Sequence, residues 1–490
     1  MSLDPRTPVI VGVGAVTQRV DDPMEASEPL ELMATSLERA AEDAGELALL
    51  SEVDSIWIPR GFWKYSSPGH LLANRFAAAR VRQIVSEIGV LQTTILGQAA
   101  AALACGQSEI AMIVGGEARD RDARARRLGL APPTTIQVEQ TPDQTLRPAA
   151  ELMSPFEIEL GLVTPATQFA ILDNALRAHE GQSLDGHRDE IGQLWSDFSR
   201  VASKNPEAWT RTSMTPTEIV SPGESNRMLS FPYTKRLVSQ WNVDQAGGLI
   251  LCTLERARRL GLDEQRFVYP LAVVDSEAML TFSERRDLHR SPGFEKSFGR
   301  ALSHVGRSID EIELLELYSC FPAAIRIQQR ELGLDRKRRV TQTGGMTFGG
   351  GPLNNFVLQA WVKMVERMRE TSCESGLVTA VSGFLTKQGV SVLGREPSQP
   401  FLHDQVSEEV RADQATIEVD PHAQGSARVA SYTVIHERDD EQRVVLVLDL
   451  DDGRRTLRVI GDPALAREAS SEELCGRRLE LGAEAAVRWS

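Results

Sequence analysis

The sequence predicts an α/β protein with a duplicated strand–helix core, a long insertion between the two halves, and a small antiparallel β-domain at the C-terminal end. Three observations carry that prediction. The order strand, helix, strand, turn, helix, strand occurs twice, in residues 1–118 and again in residues 263–396. Residues 119–262 interrupt it between the two copies. From about residue 397 the pattern changes to alternating apolar and polar positions.

In the first half, Thr7-Pro-Val-Ile-Val-Gly-Val-Gly14 is a short apolar run closed by glycines, as a strand buried on both faces reads. Residues 28–45 repeat apolar positions at helical spacing and stop at Gly45. A strand at 54–58, an Ala-rich helix at 92–105 stopping at Gly106, and a strand at 110–114 closed by Gly115-Gly116 follow. The second half gives strand 267–274, helix 292–305 with its stop at Gly306, strand 313–317, helix 354–369, and strand 377–381 followed by Ser382-Gly383. Strands linked through helices imply a mainly parallel sheet in each half. The repeat is one of pattern; direct residue identity between the halves is weak. In the insertion, 119–127 is charged, 131–147 is rich in Pro, Thr and Gln and reads as loop, and 167–180 and 187–205 are amphipathic helices. In the tail, 416–418, 427–436, 443–449 and 454–459 alternate, with turns such as Asp452-Gly453, and an OB-like barrel is one architecture that fits.

A chain of 490 residues exceeds one compact core, since domains usually run to about 100–200 residues. Its formal net charge of −15 excludes bulk binding to nucleic acid or to an anionic membrane surface, but not a polyanionic small ligand on a local basic patch. No apolar run approaches the roughly 18–20 residues of a membrane span. The polar residues 1–7 lack the apolar stretch of a signal peptide. Cys105, Cys252, Cys320, Cys373 and Cys475 are odd in number and widely spaced. That predicts reduced thiols and a cytoplasmic protein, with neither a disulfide framework nor a metal site.

The duplicated order, the opening Val-Ile-Val-Gly and Ile113-Val-Gly-Gly-Glu117 resemble the thiolase superfamily. Asn242-Val-Asp-Gln245, Leu317-Tyr-Ser-Cys-Phe-Pro322, Thr343-Gly-Gly-Met-Thr-Phe-Gly-Gly-Gly-Pro-Leu-Asn-Asn355 and Leu385-Thr-Lys387 resemble one branch of it, thiolase-like proteins often labelled acetyl-CoA acetyltransferases. The resemblance covers about residues 5–395 and implies a duplicated βαβαβ core in five layers, α-β-α-β-α, with residues 119–262 as a loop-domain insertion. Residues 397–490 resemble the additional OB-like C-terminal domain that some of these proteins carry. Fold alone does not fix chemistry.

Thiolase chemistry needs a cysteine at a helix N-terminus, where the dipole and a nearby histidine favour the thiolate. Here Ser86-Glu-Ile-Gly-Val-Leu-Gln92 takes the place of that turn, and counting back from Gln92 puts Glu87 at the cysteine position, to within about one residue. Glu87 reads either as a general base or as a charge stabilised by the helix end. The Gly-His-Pro turn of the pattern becomes Gly350-Gly-Pro352, with Gly351 at the histidine. Its glycines either bring backbone N–H groups to a thioester oxygen or make a tight turn into the helix near Asn354. Gly89, Gly350, Gly351, Asn355 and Gly383 form the implied substrate-binding set. The Asn-Glu-Ala-Phe loop becomes Tyr318-Ser-Cys-Phe321: Tyr318 and Ser319 can donate, Tyr318 can serve as an acid beside an enolate, and Cys320 is either a nucleophile or a buried apolar side chain. The last core loop, Ser382-Gly-Phe-Leu-Thr-Lys387, has no counterpart of the second catalytic cysteine, and Gln388 stands where related proteins often carry histidine. No histidine falls in these loops; His289 is the nearest candidate and reads also as a loop or cap residue. Arg336, Arg338 and Arg339, and a second cluster of Arg124, Arg126 and Arg127, suit the phosphates of coenzyme A or a solvated face.

The expected ligand is therefore an acyl-CoA or another acyl thioester, bound as substrate or ligand with no covalently held cofactor. The expected reaction makes or breaks a C–C bond through a non-covalent enolate, as an acyltransferase or retro-aldolase would. The Tyr-Ser-Cys-Phe segment also resembles the His-Asp-Cys-Phe loop of sterol-carrier-protein thiolases and of steroid side-chain aldolases that work with an OB-fold partner. The alternative is a CoA-binding scaffold without turnover, recruiting partners through its tail. A monomer or a homodimer is expected.

Overall fold

The computed structural model describes residues 3–437, 441–482 and 487–489. One core sheet has the strand order Pro8–Thr17, Asp244–Thr253, Ile110–Ala118, Ser55–Pro59, Arg82–Ser86, Gln144–Leu146. The other has the order Leu314–Glu316, Ser375–Ser382, Lys387–Gly394, Tyr269–Ser276, Leu402–Gln405. The duplication is visible in the pairing. In each half the last strand of the unit runs antiparallel between two others: Asp244–Thr253 between Pro8–Thr17 and Ile110–Ala118, and Lys387–Gly394 between Tyr269–Ser276 and Ser375–Ser382. Beyond these, Ser55–Pro59 and Leu314–Glu316 pair parallel with their neighbours.

The helices complete five layers. Pro29–Ala44 covers the outer face of the first sheet and Pro292–Val305 that of the second, while Gln92–Ala104 and Phe356–Glu370 lie between the sheets and touch both. The two inner helices are buried on most of their surface, which suits a middle layer. Close approach of the first outer helix depends on glycines in the first strand. A Cβ on Gly12 would stand 2.0 Å from the Ala40 carbonyl oxygen, and one on Gly14 would stand 2.2 Å from that of Ser36.

Several boundaries differ from those read in the sequence. Asp244–Thr253 lies within the range assigned to the insertion, yet it is a central core strand; its Gly247-Gly248 pair, pressed by Leu358 and Ser36, weakens the strand signal. Leu402–Gln405, from the range assigned to the tail, pairs with Tyr269–Ser276. The segment read as loop contains the strand Gln144–Leu146, which covers the edge strand Arg82–Ser86. The charged 119–127 run is a helix, Arg119–Leu128, and residues 416–418 make only an isolated bridge, Arg285 to Thr416.

The tail is a small antiparallel sheet in the order Arg455–Ile460, Gln442–Leu450, Gly425–His436, Arg478–Leu481, Val487–Trp489, with the helix Pro463–Ser471 packed on it. The insertion strand Met228–Ser230 joins Gly425–His436 through Ser230 and Ile435. Among the described residues no helix is long and apolar enough to cross a membrane.

A buried charge network ties the insertion to the second half. Asp173, on the helix Pro165–His179, accepts from His187 Nε2 at 3.1 Å, Arg326 Nη1 at 2.6 Å and the Tyr233 hydroxyl at 2.7 Å. Burial pushes the Asp173 carboxyl up, but His187, Arg326 and the Tyr233 hydroxyl together outweigh it and hold the group well below the usual carboxylate range. Arg326 lies on Pro322–Glu331, the helix that begins directly after the Tyr318–Phe321 loop, so the network positions that loop.

Candidate active site

The site is built where loops from both halves meet. At the end of Arg82–Ser86, the chain turns through Glu87–Leu91 into Gln92–Ala104. The Glu87 backbone N–H donates to Leu146 O, and its side chain is half-buried. Gly89 has φ 101°, a left-handed turn that glycine supplies at no steric cost. Its carbonyl accepts from Lys387 Nζ at 3.1 Å, so the last core loop reaches across to the first-half turn. Gln92 Nε2 donates to Asn354 Oδ1 at 2.5 Å, joining the same turn to the glycine segment.

Glu316 organises that segment. Its carboxylate accepts from the backbone N–H groups of Gln342 and Thr343 and from the hydroxyls of Thr341 and Thr343, and burial pushes it up to about 7 against those four donors. A π-type turn, Gly345–Gly349, follows. Gln245 explains the coupling between two motifs: its amide donates to Thr17 Oγ1, Glu207 O and Gly349 O, and a Cβ on Gly350 would lie 2.1 Å from its Oε1. Asp244 of the same motif accepts the backbone N–H groups of Asp120 and Arg121 and so caps Arg119–Leu128.

Tyr318, Ser319, Cys320, Gly350, Gly351 and Asn355 come together. Ser319 Oγ accepts from Met346 N at 3.1 Å, and the Tyr318 ring packs edge-on against Phe356 at 5.7 Å. Burial, with a contribution from Cys320, pushes the Tyr318 phenol well above its usual value. At two positions where the sequence left alternatives open, the surroundings favour one of them. Burial also drives the Cys320 thiol upward, beyond what the backbone N–H groups of Phe321 and Cys320 offset, so it is a buried thiol and not a ready nucleophile. The Gly351 N–H is not free for a thioester oxygen, because it donates to Gln240 O at 2.8 Å. Met346 fills the space beside Gly351, its Cε 3.2 Å from where a Cβ would be.

Gly383 lies in the loop that carries Lys387. Its carbonyl accepts from Arg285 Nη2 at 3.1 Å and Thr386 Oγ1 at 2.6 Å, while Phe384 and Leu385 adopt φ of 51° and 70°. Two successive non-glycine residues in the left-handed region store strain, about 1–3 kcal/mol each.

The basic residues divide differently from the expectation. Arg336 pairs with Glu180 and Glu190, Arg338 with Asp310, and Arg339 donates to Thr341 O. A cleft of about 940 Å³ lies elsewhere, between the insertion and the glycine turn. Arg126, Arg127, Arg227, Lys235 and Arg236 line it, and among the described residues none of these is in an ion pair. Of the two acidic residues that line it, Asp120 is paired with Arg124 at 2.7 Å, leaving Glu224. One wall is hydrogen-bonded to the core loops: Ser239 N to Cys320 O, Gln240 N to Met346 O, and Thr347 Oγ1 to Val238 O. Arg227, Lys235 and Arg236 are scattered through a loop-rich stretch and form no cluster in sequence. His289 stacks on His179 at 3.8 Å, and burial, aided by His179 and Arg330, brings it down to about 4.

Sequence reasoning also passed over Ser86. It precedes Glu87, so the one-residue margin on the cysteine position included it. Its hydroxyl is buried and, among the described residues, has no hydrogen-bond partner. The same holds for both polar atoms of the Asn355 amide.

Residues 405–485 match the family model for the thiolase-like protein type 1 additional C-terminal domain. The whole chain is similar to a monomeric SCP2-thiolase-like protein type 1 from Mycobacterium smegmatis, at 26% identity over 100% of both chains and a TM-score of 0.83. The Ltp2–ChsH2(DUF35) aldolase aligns with 80% of this chain and 98% of its own, at 18% identity and a TM-score of 0.61. Human mitochondrial 3-ketoacyl-CoA thiolase aligns with 80% of this chain and 99% of its own, at 14% identity and a TM-score of 0.57. No curated protein matches the sequence. With the five-layer duplicated core and the matched tail, the chain is a thiolase-like protein with an additional C-terminal domain.

Proposed function

We propose that this protein binds an acyl-CoA, or an acyl thioester with a similar phosphate-bearing carrier, in the cleft between the insertion and the glycine turn. The observation that carries this reading is a set of cations that form no ion pair among the described residues, Arg126, Arg127, Arg227, Lys235 and Arg236, on a chain of net charge −15. Such cations attract phosphate groups. The wall formed by Ser239 and Gln240 leads from them to the Tyr318 and Gly351 loops, where a thioester would lie. A 3-ketoacyl-CoA thiolase and an aldolase among the structural relatives support C–C bond chemistry of the acyltransferase or aldolase type. The strand Gln144–Leu146 covers an edge of the first sheet, and one relative is described as monomeric; both support a monomer, which light scattering tests.

Calorimetric titration with CoA, acetyl-CoA, acetoacetyl-CoA and a β-hydroxyacyl-CoA tests the binding, with release of free thiol followed in parallel. The expected result is binding that weakens as salt rises, and that falls several-fold in Arg126→Ala and in Arg236→Ala, the loss of about 1 kcal/mol for each charged contact. Absence of binding to all four ligands defeats the reading. Met346 beside Gly351 and the buried Cys320 thiol favour a second reading, a thioester binder without turnover; binding with no product from any ligand would establish it.

A further inference from the structure

We propose that Arg285 is a positioning residue for the thioester site and that the additional C-terminal domain holds it in place, so that the tail sets the shape of the loop carrying Lys387. The part this loop plays in the site rests on the acyl-thioester reading above; its dependence on the tail does not.

The loop needs an outside restraint. Phe384 and Leu385 adopt left-handed φ of 51° and 70° in succession. Non-glycine residues stay in that region only where their surroundings over-determine them. Arg285 supplies the restraint on one side, donating from Nη2 to the carbonyls of Gly383 and Phe384. Ser291 Oγ and Gln388 Nε2 hold Leu385 O on the other. The loop so fixed delivers two contacts to the site. Lys387 Nζ donates to Gly89 O in the first-half turn. The Phe384 ring meets Phe169 edge-on at 6.1 Å, and Phe169 stacks on Phe321 of the Tyr318–Phe321 loop at 4.5 Å.

Arg285 is not secured by its own side-chain contacts. It is 2% exposed, and its Nε and Nη1 have no hydrogen-bond partner among the described residues. A guanidinium carries five N–H donors, so most of these are unmet. Burial disfavours the charge, which Glu157 only partly opposes, and Glu157 already accepts from Ser154 N and Ser283 N. A side chain in this state gains by turning toward water. The tail prevents that by gripping the backbone that carries it. Arg286 N donates to Ala415 O and Ile417 N to Glu284 O, while the Arg455 guanidinium donates to Arg285 O and Arg286 O. Arg455 is 1% exposed and is anchored in the tail sheet, with Nε and Nη2 on Asp449 Oδ1 and Oδ2 at 2.7 and 3.2 Å. A two-point arginine–carboxylate pair fixes direction as well as distance. The path therefore runs from Asp449 through Arg455 and Arg285 to the 383–387 loop and on to Gly89.

The test is hydrogen–deuterium exchange of the full-length protein without ligand, read on peptides covering 383–388, with Arg458→Met as the control. Arg458 is a second buried arginine of the same tail strand, but among the described residues it donates only within the tail, to Pro421 O, Thr456 Oγ1, Leu457 O and Ala423 O. Arg455→Met and Arg285→Met should each speed exchange of the 383–388 peptides at least fivefold, Arg285→Lys less than Arg285→Met, and Arg458→Met less than twofold. Thermal melting checks that each variant is folded. If Arg455→Met is not, Asp449→Asn takes its place, releasing Arg455 from a carboxylate that is 39% exposed, with a smaller change in the same direction. Loop exchange within twofold of the wild type in Arg285→Met, or in whichever of the two tail variants folds, overturns the proposal, as does an equal rise in Arg458→Met. Calorimetry then reads the site: acetyl-CoA should bind several-fold more weakly to Arg455→Met than to Arg458→Met. Equal affinities beside a loosened loop would overturn the positioning role. Failure of the wild type to bind any CoA ligand would instead overturn the acyl-thioester reading, and the exchange result alone would still decide whether the tail sets the loop.

Discussion

At the junction of the insertion with the second half, the Asp173 carboxylate accepts from a histidine, an arginine and a tyrosine, and Arg326 goes on to Glu180 and Gln182. At the loops between the sheets, the Ser86 hydroxyl and the Asn355 amide are equally buried and, among the described residues, have no partner. Both regions withdraw polar groups from water, which costs free energy unless they are hydrogen-bonded. The junction recovers most of that cost within the protein: among its side-chain atoms named here only Arg326 Nε lacks a hydrogen bond, and it faces the Glu190 carboxylate at 3.6 Å. The loops leave it unrecovered, and groups of this kind await a ligand, a solvent molecule or a reaction. The difference separates the part of the molecule that holds the fold from the part available for chemistry.

Breaking the junction should have the largest effect. Asp173→Asn removes the charge that Arg326 and His187 face, leaving a buried guanidinium without its inner carboxylate. Loss of one member of a buried ion pair costs about 3–5 kcal/mol. A urea denaturation midpoint should fall accordingly, with little change in its steepness. An unchanged midpoint would mean that the network positions nothing. Tyr233→Phe keeps the ring that stacks on Phe321 and removes only the hydroxyl bonded to Asp173. A hydrogen bond to a charged group contributes about 1.5–3 kcal/mol, so its midpoint should lie between those of Asp173→Asn and the wild type.

That junction was poorly legible in the sequence, and the reason is physical. Asp173, His187, Tyr233 and Arg326 lie on separate elements, and nothing in helical spacing says that they meet. The core was much more legible, because apolar runs, glycine stops and repeated order reflect local rules. Even so, Asp244–Thr253 and Arg82–Ser86 escaped, the first glycine-rich and the second short. At the site, the loops carrying Tyr318, Gly351 and Gly383 could be placed from motifs. Ser86 was obscured by a one-residue margin, and the cleft cations by their dispersal from Arg126 to Arg236. Whether Arg336 and Arg338 were paired depended on Glu180, Glu190 and Asp310, which lie elsewhere in the sequence.

Protonation sharpens the contrast. Asp173 is held below the usual range, so its contribution to stability is present above its unfolded value of about 3.8 and is lost only as pH falls through its lower folded value. Glu117, buried at the end of Ile110–Ala118 with one donor, Phe62 N, is pushed by burial up to about 7. The folded state then binds more protons than the unfolded chain between about 4.5 and 7, so this group lowers stability as pH rises through that window. Melting temperature measured across pH 5 to 7.5 should decline in the wild type and decline less in Glu117→Gln, which keeps an acceptor for Phe62 N. An equal decline in both would show that Glu117 stays ionised in the fold throughout.

The smallest expected change is the most discriminating. Asn355 is fully buried, its Oδ1 lies 1.7 Å from where a Cβ on Gly115 would be, and neither amide atom has a partner among the described residues. Asn355→Leu replaces the amide with an apolar group of similar shape. If the amide belongs to the site, the fold gives up no hydrogen bond in this change, and relief of an unmet buried polar group offsets any repacking. Stability should then stay within about 1 kcal/mol of the wild type or rise, since exchanging unpaired polar for apolar groups is nearly neutral or favourable. Binding of the CoA ligands should weaken at the same time. A stability loss as large as that of Tyr233→Phe would place Asn355 with Asp173 among the residues that hold the fold, and the boundary between the two regions would have to be redrawn around the glycine turn.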